Sequence, residues 1–397
     1  MKTVSVKKLL DDYGGVFPGF DALRLILSIV AMLYRCAVIY FTFHFVAHDP
    51  SSLEVNPYGL YELWLKPFLR GLAPAYFFMS GLLVTGSALR VKSARVFLTF
   101  RILRAFPPLL AEVILTSVLM GGVLTRLPLS TYYTHPRFFK YFLNMVCNVQ
   151  LYLPGVDINR HSVEFTSLPI QGHLWSAPLV ICVYAILAIL IMLRAIFSRR
   201  LFFWFFAYFS FFVAAIQVLN PKAMIAQSIF GIPTYGIPIA GVPLIYSFFA
   251  GTFVYLFSDR ILISRMGMIL AFISLIFFKW DQTIILGISA VCYITLCIGF
   301  ADLREFPLVR RGNYSCGIYL YGLPVAQTLN DLFPALGQSW WILSLATTPI
   351  TLFLAFLSWH FIERPISELK RKLWPAVQMP HPEILTTKES VLGSKGC

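Results

Sequence analysis

Apolar runs of about twenty residues, following one another along nearly the whole chain, leave this sequence few folds to choose from. The first covers 22–46, and others follow at roughly 72–89, 105–125, 174–193, 201–219, 239–258, 266–278, 284–301, 313–333 and 341–361. About twenty apolar residues wound as a helix span the ~30 Å hydrocarbon core of a bilayer. With 58% hydrophobic and only 13% charged residues, no stretch is left over for a soluble core. The expected fold class is therefore an all-α polytopic membrane protein, with about ten transmembrane helices in one domain over 22–365. Residues 1–21 contain no apolar stretch with a small-residue cleavage site, so the first span is expected to be retained. The end of the chain, 366–397, is expected to be a tail. From Trp374 onward it is polar, holds Pro380 and Pro382, and lacks apolar periodicity, so disorder is expected there.

A net charge of +14 invites a nucleic-acid reading, but the placement of the charge argues against it. With the N-terminus inside, most of the 32 lysines and arginines fall on inner segments. This is the positive-inside bias of membrane proteins, and it places both termini in the cytoplasm. The expected partner is the lipid bilayer; no nucleic acid is expected, and the oligomeric state is open.

Two basic residues break the rule by lying inside the first span. Arg24 and Arg35 are eleven residues apart, about 1,100° of helical rotation and thus within about 20° of three whole turns. On a helix they share one face about 16 Å apart. A guanidinium at the bilayer centre costs about 2.5–3.5 kcal/mol on the insertion scale, so that face is expected to look onto a protein or water-filled interior. A structural ion pair is the competing explanation, and Glu112, inside the third span, is the expected partner.

Seven cysteines show no C-x-x-C spacing and no even extracytoplasmic set, so neither a disulfide framework nor a zinc site is expected. His44 and His48 have i, i+4 spacing at the outer end of the first span, without an evident third ligand. Dinucleotide and phosphate-cradling glycine loops and a G-x-S-x-G elbow are absent from the sequence. The segment 126–172 is the longest extramembrane loop, and its aromatics favour an ordered lid or acceptor platform. The run Gly231-Ile-Pro-Thr-Tyr-Gly-Ile-Pro-Ile-Ala-Gly-Val-Pro243 breaks helix repeatedly and is expected to be a re-entrant or interfacial connection.

Six segments in one order carry a resemblance. These are Gly19-Phe-Asp-Ala-Leu-Arg24; Tyr76-Phe-Phe-Met-Ser80-Gly81-Leu82; Arg101-Ile-Leu-Arg104-Ala-Phe-Pro107; Leu153-Pro154-Gly155 ahead of Gly172-His173-Leu174-Trp175-Ser176; Gly317-Ile-Tyr-Leu-Tyr-Gly-Leu-Pro324-Val325; and Trp359-His-Phe-Ile-Glu363-Arg364-Pro365. From about Phe20 to Pro365 the chain resembles the transmembrane acyltransferase-3 family of bacterial polysaccharide and lipid modifiers. The resemblance implies a multi-pass protein of the bacterial inner membrane. It would move an acyl group, expected to be acetyl, from cytoplasmic acyl-coenzyme A to a hydroxyl of a surface glycan or glycolipid.

Two positions depart from the family pattern. Arg35 stands where the family has its proposed catalytic histidine, and Val180 stands where it often has a glutamate. A guanidinium stays protonated above pH 12 and cannot serve as the general base. What it can do is hold a phosphate or a developing oxyanion. On this resemblance Arg24 and Arg35 clamp the donor pyrophosphate or a charged intermediate, and Arg101, Arg104 and Arg24 form a shared anionic donor site. His173 is a surrogate base at the outer mouth, with Glu112 a second candidate. Trp175, Ser176 and Ser80 are candidate substrate contacts, against an interface anchor for Trp175 and Ser176 and close helix packing for Ser80-Gly81. No metal is expected. Glu363-Arg364-Pro365 is expected to end the last helix. Two other functions stay open: a non-catalytic relative that binds or passes acyl or glycan groups, and a carrier or flippase.

Overall fold

Helices form where the apolar runs lie, with two short antiparallel strand pairs beside them. The computed structural model describes residues 4–15, 17–41, 66–146, 150, 152–156, 174, 176–219, 228–229, 232–233, 241–277, 284–301 and 312–373. Its helices are α1 (Val6–Asp12), α2 (Phe20–Phe41), α3 (Lys66–Val91), α4 (Ala94–Ile114), α5 (Gly121–Leu124), α6 (Leu129–Thr134), α7 (Pro136–Tyr141) and α8 (Ala177–Met192). There follow α9 (Arg199–Leu219), α10 (Val242–Leu256), α11 (Arg265–Phe277), α12 (Ile284–Gly299), α13 (Ser315–Leu332), α14 (Pro334–Gly337), α15 (Trp340–Ser358) and α16 (Arg364–Leu373). Strand β1 (Val4–Ser5) pairs with β4 (Leu262–Ile263), and β2 (Ser228–Ile229) pairs with β3 (Ile232–Pro233).

Among the described residues, five helices are long and apolar enough to cross a membrane: Phe20–Tyr40, Gly71–Val91, Ala94–Leu124, Arg199–Val218 and Trp340–Lys370. Shorter apolar helices occupy Ala177–Met192, Val242–Leu256, Arg265–Ile276 and Ile285–Gly299. The chain thus has the make-up of an α-helical membrane protein.

Helices α3 and α10 pack in the closest contact. A Cβ on Gly81 would strike the Phe248 carbonyl, and one on Gly251 would strike the Phe78 carbonyl, so the two backbones meet because both positions lack a side chain. Small residues at such contacts are the usual means of helix association in lipid. Helix α13 is wedged between α2 and α15, with Gly322 against Met32 and Gly317 against Ala355. It buries Gln327, Asn330 and Asp331 together with its apolar residues, which explains how a helix too polar for a lipid-facing span sits in this bundle. Helix α9, by contrast, exposes Phe203, Trp204, Tyr208, Phe211 and Phe212. Hydroxyls within the spans mostly turn back onto the preceding turn, as Thr85 does to the Gly81 carbonyl at 2.7 Å and Thr252 to Phe248 at 3.3 Å.

Three expectations change. The third helix begins well before the expected span at 105–125. It starts at Ala94 behind the extended Ser93, runs through Pro107 and Pro108, and reaches Leu124 by way of a π-turn at Leu115–Met120. Arg101 and Arg104 are therefore helical residues. The last helix does not stop at Glu363-Arg364-Pro365 either. A second π-turn, Trp359–Glu363, loosens the backbone where Pro365 lacks an amide proton, and α16 continues to Leu373. That helix takes up the beginning of the expected tail; 374–397 lies outside the described residues. The opening segment is anchored to the bundle, since Val6 and Leu10 are buried and β1 is tied to β4. Within Gly231–Pro243 the described parts are the β3 strand and the start of α10, where Pro243 lies in the first turn.

The loop after the third helix is ordered over its described part, 126–146, 150 and 152–156. Tyr132 donates to the Ser117 carbonyl at 2.6 Å and Tyr133 to the Val118 carbonyl at 2.9 Å. These are carbonyls of the π-turn, where the regular ladder is interrupted and outside donors are needed. The hydroxyls reach them because Gly121 and Gly122 present no side chain. Leu153-Pro154-Gly155 closes this cap: Thr125 donates to the Pro154 carbonyl at 3.0 Å, and Gly155 takes φ +66°, which favours glycine.

Candidate active site

Arg24 and Arg35 both face a seam formed by α3 and α13. The Arg24 side chain is 16% exposed and meets Asp21 at 3.5 Å. One turn on, the Ser28 hydroxyl is hydrogen-bonded to that of Tyr76 and lies 2.9 Å from the Ser315 carbonyl. Tyr76 also reaches the Arg24 carbonyl at 2.8 Å. Two hydroxyl protons are thus shared among the Arg24 carbonyl, the Ser315 carbonyl and the two hydroxyl oxygens, which ties α3, α2 and α13 together. The Tyr76 ring faces Tyr319, centroids 6.0 Å apart. Arg35 donates to the Tyr319 carbonyl at 2.8 Å and places its guanidinium 4.5 Å from the centre of the Tyr319 ring. Ser176 approaches the Tyr319 hydroxyl at 3.2 Å. Tyr76 lies within electrostatic reach of both arginines, so the eleven-residue spacing does bring them to one face.

The expected ion pair between Arg35 and Glu112 is not present among the described residues. Arg35 is held by a carbonyl and an aromatic face, both of which suit a guanidinium without a second formal charge. Glu112, fully buried, accepts from Thr116 at 3.0 Å and sits with Tyr141 and Tyr321 under the loop cap.

A second group of cations adjoins Arg24. Arg101 lies over Phe97 and Tyr184, with its guanidinium 5.3 and 5.8 Å from the ring centres. Its Nε is buried with no hydrogen-bond partner. Arg24, Arg104 and Arg90 are close enough for their charges to act on it, and Arg104 acts on Arg24 in the same way. Ser80 approaches the Tyr184 hydroxyl at 3.4 Å, on the floor beneath Arg101. The structure thus brings together Arg24, Arg101 and Arg104, with Ser80 near them through Tyr184. It brings Arg35 together with Ser176 through Tyr319, and sets Glu112 apart. His173 and Trp175, like His44 and His48, lie outside the described residues. Val180 packs into the apolar cluster around Leu179 and Val183.

Sequence reasoning did not single out Tyr76, Tyr184, Tyr319 or Ser28. A signal existed for two of them: Tyr76 and Tyr319 lie inside segments quoted for other residues, and both are polar groups in apolar helices.

Chemically, the arrangement offers buried positive charge, aromatic walls and a hydroxyl chain, which suits an anion or an oxyanion better than proton abstraction. The chain is similar to an O-acetyl transferase of Shigella phage Sf6. The two are 24% identical over 314 residues, 75% of this chain and 87% of the phage protein. This supports an acyltransferase relationship. No known protein-family pattern matches the chain, and no solved structure matches it.

Proposed function

We propose that this chain is an integral membrane O-acyltransferase of the acyltransferase-3 type, taking acetyl from acyl-coenzyme A and delivering it to a hydroxyl of a surface glycan or glycolipid. It would be a multi-pass protein of the bacterial inner membrane with both termini in the cytoplasm. The observation that carries the reading is the Arg24–Arg101–Arg104 group, in which Arg101 buries its Nε, Arg24 is largely covered and Arg104 is exposed, in a chain similar to an O-acetyl transferase. Several guanidiniums gathered at one place suit the phosphates of a coenzyme A donor. The unpartnered Arg101 Nε is a donor waiting for an acceptor of that kind.

In the transfer, the acceptor oxygen attacks the thioester carbonyl, the C–S bond breaks, and the hydroxyl proton must leave. Arg35 can steady the negative charge that develops on the carbonyl oxygen, but it cannot take that proton. His173 is the candidate base. A second reading, a non-catalytic relative, is favoured by Arg35 and Val180, which remove proton chemistry while keeping the scaffold.

The test is transfer of labelled acetyl from acetyl-coenzyme A to membrane glycans, by the natural chain and by Arg24→Ala. Transfer above chain-free membranes, lowered about 100-fold or more by the substitution, is expected. Coenzyme A binding without any transfer would favour the non-catalytic reading, and neither binding nor transfer would overturn both.

A further inference from the structure

Helix α16 carries several basic residues, and one of them is turned inward. Arg364 is exposed and paired with Glu368 at 3.1 Å, and Lys372 is exposed. Lys370 is half-buried and donates to the Phe100 carbonyl at 3.2 Å, one residue before Arg101. Arg101 and Arg104 both lie within electrostatic range of its ammonium. An ammonium has three protons, and the Phe100 carbonyl uses one.

The π-turn Trp359–Glu363 decides which side of α16 faces α4. One extra residue in a turn rotates everything after it by about 100°, so an unbroken α-helix would carry Lys370 away from Phe100. Among the described residues the acid beside this group is Glu363, which accepts from Ser358 at 3.4 Å and faces Arg104. One carboxylate does not balance Arg101, Arg104 and Lys370 in a site partly shielded from water. Like charges held together at low dielectric are unfavourable unless an anion joins them.

We propose that Lys370 is a phosphate-binding residue, completing with Arg101 and Arg104 a site whose ligand is a phosphate monoester or diester. This rests on the reading of the inner cluster as the donor site, and it adds to that site a residue from the far end of the chain. The same chemistry could be met by the phosphates of coenzyme A or by a lipid headgroup.

The test uses the full chain in nanodiscs, with Lys370→Gln, Lys370→Arg and, as a matched charge loss on the same helix, Lys372→Gln. The probes are coenzyme A, 3′-dephospho-coenzyme A and adenosine 3′,5′-bisphosphate, in discs of neutral lipid and in discs containing phosphatidylglycerol. Lys370→Gln should weaken binding of coenzyme A about tenfold, as for loss of one charged hydrogen bond. Lys370→Arg should recover most of the loss, and Lys372→Gln should stay within about twofold. The effect should weaken as salt is raised. Lys370-dependent binding of the bisphosphate without any coenzyme A binding would uphold the phosphate site while removing the donor reading. A Lys370 dependence seen only as retention of phosphatidylglycerol would assign the phosphate to lipid. Unchanged binding of every probe in Lys370→Gln, or an equal loss in Lys372→Gln, would overturn the proposal. Equal melting temperatures, or the arginine rescue, exclude misfolding as the cause.

Discussion

Helix α4 and its continuation carry polar residues at two levels, and the two are built on opposite principles. At the Glu112 level, Thr116 serves the carboxylate and Tyr132 and Tyr133 serve the carbonyls of the π-turn. At the Arg101 level, cations gather around aromatic rings, and a buried Nε is left without a partner. The first arrangement sets a single acid among hydroxyl groups, with Thr116 on one carboxylate oxygen. The second gathers like charges, which raises its energy in the free protein and makes an incoming anion worth more. Polar groups buried in a membrane helix are thus not equivalent, and the sign and number of the charges beside them separate a support from a site.

The largest expected effect breaks this comparison if it fails. Arg101→Met keeps the length and apolar stem of the side chain but removes the charge, so coenzyme A affinity should fall about 100-fold, near 2.7 kcal/mol. Membrane yield and thermal stability should hold or rise, because the substitution relieves repulsion from Arg24 and Arg104 and removes an unserved buried donor. Calorimetry with coenzyme A and a melting curve read the two quantities separately. A fall in stability with unchanged affinity would make Arg101 a support like Glu112.

The reverse substitution at the other level has a smaller effect of the opposite kind. Tyr132→Phe with Tyr133→Phe removes two hydroxyls from the π-turn carbonyls and leaves the rings packed. Each net bond contributes about 0.5–1.5 kcal/mol, more if its carbonyl stays dry, so the pair should cost about 2 kcal/mol. Melting temperature should drop while coenzyme A affinity stays within about twofold. Loss of affinity with stability intact would turn the cap into part of the binding site.

These two levels were unequally legible in the sequence. The apolar runs located the long helices, since hydropathy alone requires them, and the eleven-residue spacing aligned Arg24 with Arg35. The start of α4 was hidden because Pro107-Pro108 reads as a break, whereas a buried helix tolerates prolines when neighbours hold the chain. Neither π-turn was visible, because what stabilises the first is remote in sequence: Tyr132 and Tyr133 reaching over Gly121 and Gly122. Arg35 was given the wrong partner for a similar reason. Charge complementarity pointed to Glu112, and only the packing of α13 against α2 reveals that the Tyr319 carbonyl and ring already hold the guanidinium.

That correction changes what Arg35→His should do, and its cost in stability is smaller than that of the tyrosine pair. An ion pair with Glu112 would make the substitution costly, about 3–5 kcal/mol, because a buried carboxylate would lose its counterion. With Arg35 bound to Tyr319 and Glu112 to Thr116, the loss is one carbonyl bond and one ring contact, about 1–2 kcal/mol. Membrane yield should therefore change little, and Glu112→Gln added to Arg35→His should rescue nothing. The imidazole also brings what the guanidinium cannot, a group that sheds its proton near neutrality. If position 35 faces the acceptor hydroxyl, acetyl transfer by Arg35→His should rise with pH through about 6.5 even when His173→Gln has removed the other candidate imidazole, a background in which the chain with Arg35 should show no such step. Melting curves for the single and double variants, with a pH profile of transfer, separate the cases. A large stability loss rescued by Glu112→Gln would restore the ion pair, and a flat profile with unchanged rate would place the reacting atoms away from Tyr319.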